Sequence, residues 1–222
     1  MGALLLNAGS PAALIRAAPG NFSQTLAWDG EDGVGTALDV VGFGVRADET
    51  VLGGSQSTGD LASADPDAGT GARITVTAAN GFAIGDLRGF AVDETLGAAG
   101  TAYAIEPLAA AVASLDLATG IATALASALA GSGSLPGVGG LAAAADRATL
   151  YVSGVGVAGG LLAIDVGSGV RTVISPAVAT SGPIAGVSPD FVIDGERLWG
   201  LAAGRAVILV DLTSGERVLV GN

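Results

Sequence analysis

Apolar residues fall in short runs along the whole chain, and clusters of Gly, Asp, Ser and Thr separate one run from the next. In one recurring arrangement, an apolar run is followed by Asp-x-x-Thr/Ser-Gly and then by a second β-prone run. Its clear copies begin at Asp116, Asp165 and Asp211. Glycine supplies the positive φ of a tight turn, and the Asp and hydroxyl side chains bond to turn amides. Each copy therefore predicts a β-hairpin.

Two looser copies extend the repeat toward the N-terminus. One begins at Asp65 and carries a two-residue insertion that places its turn glycine at Gly71, and a degenerate one begins around Asn7. Successive anchors lie roughly fifty residues apart, a spacing typical of repeat architectures. The chain is therefore predicted to repeat one β-rich unit.

Each hairpin is preceded by two more short apolar runs, the second of which carries an aromatic residue at Tyr103, Tyr151 or Trp199. Four short strands with a tight turn between the last two are typical of a β-propeller blade. The predicted blades span residues 21–77, 80–127, 137–175 and 188–221, with a partial blade over 3–18. The sequence thus predicts an all-β propeller of four-stranded blades, about four and a half in number, in a single domain over 1–222.

The blade count leaves two alternatives open. The chain is either a fragment of a larger ring, most simply a six- or seven-bladed one, or a compact five-bladed ring with one two-stranded blade. We favour the fragment because the last unit runs through its own fourth strand and leaves nothing to complete the first. The segment from Gly53 to Gly59 is predicted to form a long surface loop. A helix over Glu106–Ala130, which is rich in Ala and Leu, is the alternative to strands there.

Composition excludes several kinds of chemistry. The 222 residues contain no Cys and no His, so disulfides, histidine triads, cysteine nucleophiles and Cys/His zinc sites are ruled out. The 9 basic residues, all Arg, stand against 21 acidic ones and give a net charge of -12. Such a surface repels phosphate backbones, so nucleic acid is not expected as a partner. Glycines interrupt the uncharged stretch between Asp116 and Asp146, so no membrane span is expected.

Units such as Leu161-Leu162-Ala163-Ile164-Asp165 through Arg171-Thr172 resemble the repeats of NHL and SMP-30/gluconolactonase-like six-bladed propellers, with bacterial extracytoplasmic repeat proteins the nearest in pattern. The resemblance covers about residues 80–222. In the lactonase branch it implies a divalent metal held by Glu, Asn and Asp, with an Asp as base. None of the asparagines lies in a recognisable copy of those metal-binding segments, so no catalytic residue is assigned.

The acidic residues offer weak candidates for a metal site. Asp60, Asp65 and Asp67 place three carboxylates in one segment, and Ca²⁺ prefers such oxygen ligands, although the spacing is not that of an EF-hand. The Asp residues after the first strand of each blade recur in register and are therefore interpreted as turn caps rather than ligands. They are Asp93, Asp146, Asp194 and, as a fourth candidate, Asp29.

The aromatic residues Trp28, Tyr103, Tyr151 and Trp199 are interpreted mainly as blade-packing residues, with a stacking surface for a glycan or peptide as the alternative. The favoured function is a non-catalytic binding module of a secreted or envelope-exposed bacterial protein. Its expected ligand is a protein or a glycan recognised by loops on one face. A Ca²⁺-dependent lactone or ester hydrolase is the alternative, and a structural repeat segment without a ligand is a third possibility.

Overall fold

The computed structural model describes residues 3–7, 13–17, 24–28, 40–55, 57–79, 84–95, 99–107, 109–127, 131, 138–154, 160–175, 187–202 and 207–221. All regular secondary structure in these ranges is β-strand, and they contain no helix that is long and apolar enough to cross a membrane. The chain divides into two compact units. The first comprises Met1–Ala104 and Leu115–Thr123, and the second comprises Ile105–Ser114 and Ala124–Asn222.

The strands form sheets in which neighbours in the chain are mostly neighbours in the sheet. The first sheet contains β1 (Ala3–Asn7), β2 (Ala13–Ala17) and β3 (Gln24–Trp28). The second contains β4 (Val40–Val45), β5 (Val51–Ser55), β6 (Leu61–Asp65) and β7 (Thr70–Ile74). The third contains β8 (Thr77–Ala78), β9 (Arg88–Asp93), β10 (Thr101–Glu106), β11 (Ala111–Asp116) and β12 (Ile121–Ala126).

The last two sheets have four antiparallel strands each, in chain order. The fourth sheet contains β13 (Val138–Ala143), β14 (Thr149–Gly154), β15 (Leu161–Asp165) and β16 (Arg171–Ser175). The fifth contains β17 (Val187–Asp194), β18 (Arg197–Ala202), β19 (Val207–Asp211) and β20 (Arg217–Gly221).

The structure departs from the sequence prediction at β3 and at the segment from Gly53 to Gly59, and it decides against one alternative. The predicted blade over 21–77 included β3, but β3 pairs with β2 and belongs to the first sheet. The helical alternative over Glu106–Ala130 is wrong where the structure describes that segment, because β11 and β12 are strands. The segment from Gly53 to Gly59 is not a long surface loop, since β5 continues through Ser55 and all five of its residues are buried.

The burial of β5 explains Gly54 better than a loop does. A Cβ on Gly54 would lie 2.6 Å from the carbonyl oxygen of Leu87 and equally close to the ring of Phe90. Glycine at this position therefore lets β9 and the segment that precedes it approach the strand closely. A glycine-rich segment is compatible with a surface loop and also with a close backbone approach, and the structure shows a close approach at Gly54.

The Asp-x-x-Thr/Ser-Gly segments form the predicted tight turns. The backbone N–H of Gly120, Gly169 and Gly215 donates to the carbonyl oxygen of the Asp four residues earlier, at 2.8 Å in each case, and all three glycines have φ near +70°. In the copy that begins at Asp65, Gly69 takes this place, with φ of 66° and a bond of 2.9 Å. The turn glycine is thus Gly69 and not Gly71, and this turn contains no insertion.

A second set of hydrogen bonds, accepted by the aspartate side chains, caps the turns and lowers the pKa values of these carboxyls. The backbone N–H of Thr119 lowers the pKa of Asp116, and the hydroxyl of Ser168 lowers the pKa of Asp165. For Asp211 the largest cause of the lowered pKa is the backbone N–H of Ser214, which donates at 2.7 Å. Each aspartate therefore stabilises its turn in the ionised form.

Turn glycines also contact the outer strand of the preceding sheet. In the first unit a Cβ on Gly120 would overlap the carbonyl oxygen of Thr75. In the second unit, Cβ atoms on Gly169 and Gly215 would overlap the carbonyl oxygens of Leu125 and Ile174. The glycine of the repeat is therefore required twice, for its positive φ and for the close approach between consecutive sheets.

The contact between consecutive sheets is reinforced in two ways. In the second unit the guanidinium of Arg217, which is 2% exposed, donates from Nε to the hydroxyl of Ser175 at 2.5 Å and from Nη2 to its carbonyl at 3.0 Å. Arg171, at the equivalent position, donates to the carbonyl of Ser127 at 2.8 Å. In the first unit this position is Ala122, whose carbonyl instead accepts the N–H of Ala79 at 2.7 Å beside the parallel β8–β12 pair. Backbone pairing thus replaces the arginine in the third sheet.

Candidate functional site at the loop ends of the sheets

Strand direction gives each four-stranded sheet two different ends. The first and third strands run one way, and the second and fourth run the opposite way. The connection between the second and third strands therefore lies at the same end as the connection that leads into the first strand. We call this the loop end. The other two connections lie at the opposite end, which we call the turn end.

At the turn end the carboxylates serve as caps. Oδ1 of Asp93 accepts the backbone N–H and the hydroxyl of Thr95 at 2.9 and 2.6 Å, and Asp146 accepts the N–H of Ala148 at 3.0 Å. In the second sheet Asp48 does the same for Thr50, and the Thr50 hydroxyl is the main reason that the pKa of Asp48 is lowered. Asp194 ends β17 opposite Arg197, and Asp29 lies outside the described residues.

The loop end of the first unit carries two carboxylate–guanidinium pairs. The first joins Asp60, which is 6% exposed, to Arg73 near the end of β7. Nε of Arg73 donates to Oδ2 of Asp60 at 2.8 Å, Nη2 contacts the same oxygen, and the backbone N–H of Val76 donates to Oδ1 at 3.0 Å. Both oxygens of this carboxylate therefore accept hydrogen bonds from groups at the far end of β7.

The second pair joins Asp86 to Arg88, the first residue of β9. Nε of Arg88 donates to both carboxylate oxygens of Asp86 at 2.9 Å, and Nη2 lies 2.7 Å from Oδ2. The Asp86 side chain is 8% exposed, whereas the Arg88 side chain is 49% exposed. A buried carboxylate thus orients a guanidinium that faces solvent.

The two pairs are held next to each other by backbone hydrogen bonds and by one close glycine contact. The N–H of Leu87 donates to the carbonyl oxygen of Ser55 at 3.2 Å, and the N–H of Ser55 donates to that of Asp60 at 2.9 Å. Gly59, with φ of 71°, packs so closely on Ile84 that a Cβ would lie 2.6 Å from its Cγ2. The β5–β6 connection and the segment leading into β9 therefore form one packed unit, which we call the Asp–Arg cluster (Ser55, Asp60, Arg73, Asp86 and Arg88).

The loop end of the second unit is also polar below its surface. Glu106 ends β10 with no exposed surface, and its Oε2 accepts the N–H of Ala109 at 2.6 Å. The hydroxyl of Ser153 in β14 accepts the N–H of Gly140 at 2.9 Å. Ser175, 1% exposed, ends β16 at the loop end of the fourth sheet, where it accepts a hydrogen bond from Arg217 and donates to the carbonyl oxygen of Gly215 at 2.8 Å, both of which lie at the turn end of the fifth sheet. These buried groups connect neighbouring strand ends by hydrogen bonds.

The predicted metal ligands do not lie together. Asp65 and Asp67 share the turn end of the second sheet, where Oδ1 of Asp65 accepts the N–H groups of Asp67 and Ala68 at 2.8 and 2.9 Å. Asp60 lies at the loop end, about 15 Å away along an extended strand of five residues. Among the described residues, no group of three or more acidic side chains is arranged to hold a metal ion. The Ca²⁺ site stays a prediction for a titration to test.

The aromatic residues differ in their surroundings. Tyr103 is 2% exposed, and burial raises its pKa. Tyr151 packs against the core of the second unit formed by Leu161, Leu198 and neighbouring aliphatic residues. Trp199 is half-buried. The side chain of Trp28 lies outside the described residues.

Sequence reasoning missed the Asp–Arg cluster as a unit. It singled out Asp60 but assigned no role to Asp86, Arg73 or Arg88, since Asp86 and Arg88 fall outside the repeated motif and Arg73 lies in one of its looser copies. One local signal was present, because Asp86 and Arg88 are two residues apart in a chain with only 9 basic residues. The Asp60–Arg73 pair spans β6 and β7, and its contact depends on the register in which Leu61 pairs with Ile74.

No protein-family model matches the chain, and no curated protein matches it in sequence. Solved structures do. One from a nidogen/laminin complex is similar over 99% of this chain and 78% of its own, with 12% identity and a TM-score of 0.72. Catalytically inactive virginiamycin B lyase from Staphylococcus aureus with quinupristin matches over 98% of this chain and 69% of its own, at 11% identity and a TM-score of 0.63.

A third similar structure is the extracellular domain of a putative hybrid two component system from B. thetaiotaomicron. It matches 99% of this chain, which spans 28% of that one, at 12% identity and a TM-score of 0.59. At sequence identities this low, the structural similarity shows the fold only. The predicted all-β propeller with four-stranded blades is confirmed. The NHL and SMP-30 assignment stays a resemblance of the repeat, and the single domain over 1–222 stays a prediction.

Proposed function

We propose that the chain is a non-catalytic binding module of a secreted or envelope-exposed bacterial protein. It recognises a polar protein or glycan ligand at the loop end of its first unit. The observation that carries this proposal is the Asp–Arg cluster, in which the buried carboxylate of Asp86 holds a half-exposed guanidinium at Arg88. A guanidinium fixed in this way loses little side-chain entropy when a ligand oxygen binds to it.

Among the residues that the structure describes, the turn end of the first unit offers no comparable site. Its aspartates accept the hydrogen bonds of their own turns, and its ion pair between Arg46 and Glu94 at 3.0 Å ties two neighbouring turns together. The loop end of the first unit is formed by the β5–β6 connection around Asp60 and by the segment around Asp86 that leads into β9. Connections of this kind carry recognition in proteins built on rigid sheets. A secreted or envelope location is supported by the extracellular domain among the similar structures.

The cluster favours a ligand rich in hydroxyl or carboxylate oxygens. The pairs in the cluster balance their charges, so the site does not add to the repulsion that a net charge of -12 exerts on anionic ligands. Neutral oligosaccharides present both donors and acceptors, which carboxylates and guanidinium groups bind. Polar peptide segments offer the same groups, so both classes are screened.

The test is a screen of an immobilised oligosaccharide array and a displayed peptide library with the purified chain. Ligands found there are then titrated against Arg88→Lys and against Arg46→Lys as the matched control. Lysine keeps the charge beside Asp86 but loses the planar fork, so the affinity is expected to fall about tenfold or more at Arg88 and to stay unchanged at Arg46. Thermal unfolding of each variant confirms that the fold is retained.

Two results would contradict the proposal. Equal affinities of the two variants would show that recognition does not use the Asp–Arg cluster. Tight one-site binding of Ca²⁺ in calorimetry, lost in Asp60→Asn and accompanied by lactone hydrolysis, would replace the binding module by the metal-dependent hydrolase.

A further inference from the structure

The fifth sheet carries a continuous apolar row on one face. Directly paired residues of an antiparallel sheet project to the same face, and the register pairs Val192 with Trp199, Trp199 with Leu209, and Leu209 with Val218. The row therefore crosses all four strands from β17 to β20. We call it the Trp199 face (Val192, Trp199, Leu209 and Val218).

Val192 and Val218 at the two ends of this row are exposed and Trp199 and Leu209 between them are partly buried, whereas the centre of the opposite face is fully buried. Val192 is 64% exposed and Val218 is 55% exposed. On the other face Leu198, Ile208 and Val210 have no exposed surface. A sheet that is apolar on both faces normally buries both. The exposure of the Trp199 face therefore marks a surface suited to a partner.

The fourth sheet shows what covers the equivalent row. There the register pairs Ala142 with Tyr151, Tyr151 with Ala163, and Ala163 with Thr172. Tyr151 packs against the buried cluster that contains Leu198, Ile208 and Val210 from the fifth sheet. Tyr151 in the middle of this row is thus covered by aliphatic residues of the next sheet in the chain.

The outer strands of the two sheets, β16 and β20, show the same difference between a covered and an uncovered edge. In the fourth sheet the pairing shifts between Leu161 and Leu162, which leaves Ile174 as an extra residue in β16, and Gly215 of the next sheet lies against the carbonyl of Ile174. An equivalent shift between Val207 and Ile208 leaves Val220 as the extra residue in β20. Ile174 is partly buried, whereas Val220 is 52% exposed.

We infer that the Trp199 face, together with the β20 edge at Val220, is a docking surface for one further four-stranded blade of this repeat type. The matching blade presents aliphatic side chains at the positions of Leu198, Ile208 and Val210. Its Asp-x-x-Ser/Thr-Gly turn places the glycine on the carbonyl of Val220, as Gly215 lies on Ile174. Its arginine at the position of Arg217 reaches the end of β20. Two independent features of the fifth sheet, its face and its edge, thus fit the same occupant.

The test is an extended chain in which a second copy of residues 176–221 follows Asn222, so that the connection 176–186 links the two blades. The appended copy carries Trp199→Phe, so the extended chain has the same two tryptophans as the unextended one, Trp28 and Trp199, and of these Trp199 lies on the surface under test. Docking is expected to shift the tryptophan emission to shorter wavelength. It is also expected to slow amide hydrogen exchange of Val218 and Leu219 at least tenfold relative to the unextended chain.

The control extension carries Leu198→Asp and Ile208→Asp in the appended copy only, which removes the aliphatic face while the original fifth sheet is unchanged. It is expected to give the emission and the exchange rates of the unextended chain. Unchanged emission and exchange in the first extension would overturn the inference, as would equal protection by both extensions. Self-association of the unextended chain that Val218→Asp abolishes would also overturn it, because the occupant would then be a second copy bound through the same face.

Discussion

The contact between the repeat turn and the preceding sheet makes a quantitative prediction for Gly215→Ala. Gly215 has φ of 74°, and its substituent would overlap the carbonyl oxygen of Ile174 and lie 3.1 Å from the carbonyl carbon. Gly195 offers a matched control in the same sheet, since its φ is 59° and nothing lies within 4 Å of a Cβ there. The two substitutions share the backbone strain and differ in the steric overlap.

The magnitudes follow from these two contributions. A non-glycine residue in the left-handed region costs about 1–2 kcal/mol, which applies to both variants. Overpacking against a fixed backbone costs about 1–3 kcal/mol and applies to Gly215→Ala only. The entropy that alanine removes from the unfolded chain is the same at both sites and cancels in the comparison. At about 2–4 °C per kcal/mol for a chain of this length, we therefore expect the Tm of Gly215→Ala to lie about 2–12 °C below that of Gly195→Ala.

The assay is differential scanning calorimetry of both variants and the parent chain at one concentration. Gly169→Ala is expected to behave like Gly215→Ala, because its Cβ would overlap the carbonyl oxygen of Leu125. If Gly195→Ala lowers the Tm as much as Gly215→Ala does, the close approach contributes nothing. The glycine would then be required for its φ value only.

Three further predictions concern single contacts. Arg217→Ala leaves the buried Ser175 without its guanidinium partner and is expected to lower the free energy of unfolding, measured by chemical denaturation, by about 2–4 kcal/mol. The control Arg197→Ala removes an exposed arginine and is expected to lower it by less than about 0.5 kcal/mol. Equal losses in the two variants would contradict the assigned contact. Asp165 has a lowered pKa in the folded chain, so its stabilisation is complete above its ordinary pKa and is lost as the pH falls through the folded value. Asp165→Asn should therefore flatten the decrease in Tm below about pH 4, and an unchanged slope would contradict this. Gly54→Ala brings a Cβ against Leu87 and Phe90 and is expected to lower the free energy of unfolding by about 1–3 kcal/mol, while a neutral effect in denaturant titration would show that β9 can shift.

The repeated Asp-x-x-Thr/Ser-Gly motif predicted the turns of the fold, whereas the glycines of the segment Gly53–Gly59, outside the motif, led to the prediction of a loop where the structure has a strand. Asp116, Asp165 and Asp211 mark the ends of third strands, and their turns form as predicted because all of the hydrogen bonds lie within a few residues. At Asp65 two glycines compete for the same role, and the spacing of four residues from the Asp selects Gly69. The identity of the turn glycine is thus readable from local spacing when the spacing is applied strictly.

The candidate site was less predictable because its contacts join separate strands. The sequence suggests Asp60 as a calcium ligand. In the structure its carboxylate accepts hydrogen bonds from Arg73, which is 13 residues away, and from the N–H of Val76. That partnership depends on the pairing of β6 with β7 rather than on any local motif. The same limit applies to β3, whose apolar pattern suits either neighbouring sheet and whose pairing with β2 is a matter of tertiary structure.

Local chemistry in the chain therefore determines the strands, the tight turns and the exclusion of His- and Cys-based chemistry, because each of these depends on the residue types within a short segment. Tertiary structure decides which sheet an ambiguous strand joins, which carboxylates meet an arginine and which apolar face stays exposed. The Trp199 and Tyr151 rows carry similar aromatic signals, yet Tyr151 packs against the cluster that contains Leu198 and Ile208, while Val192 and Val218 of the Trp199 row are exposed. Burial is a property of the neighbouring sheet, and the residues of a single strand do not encode it.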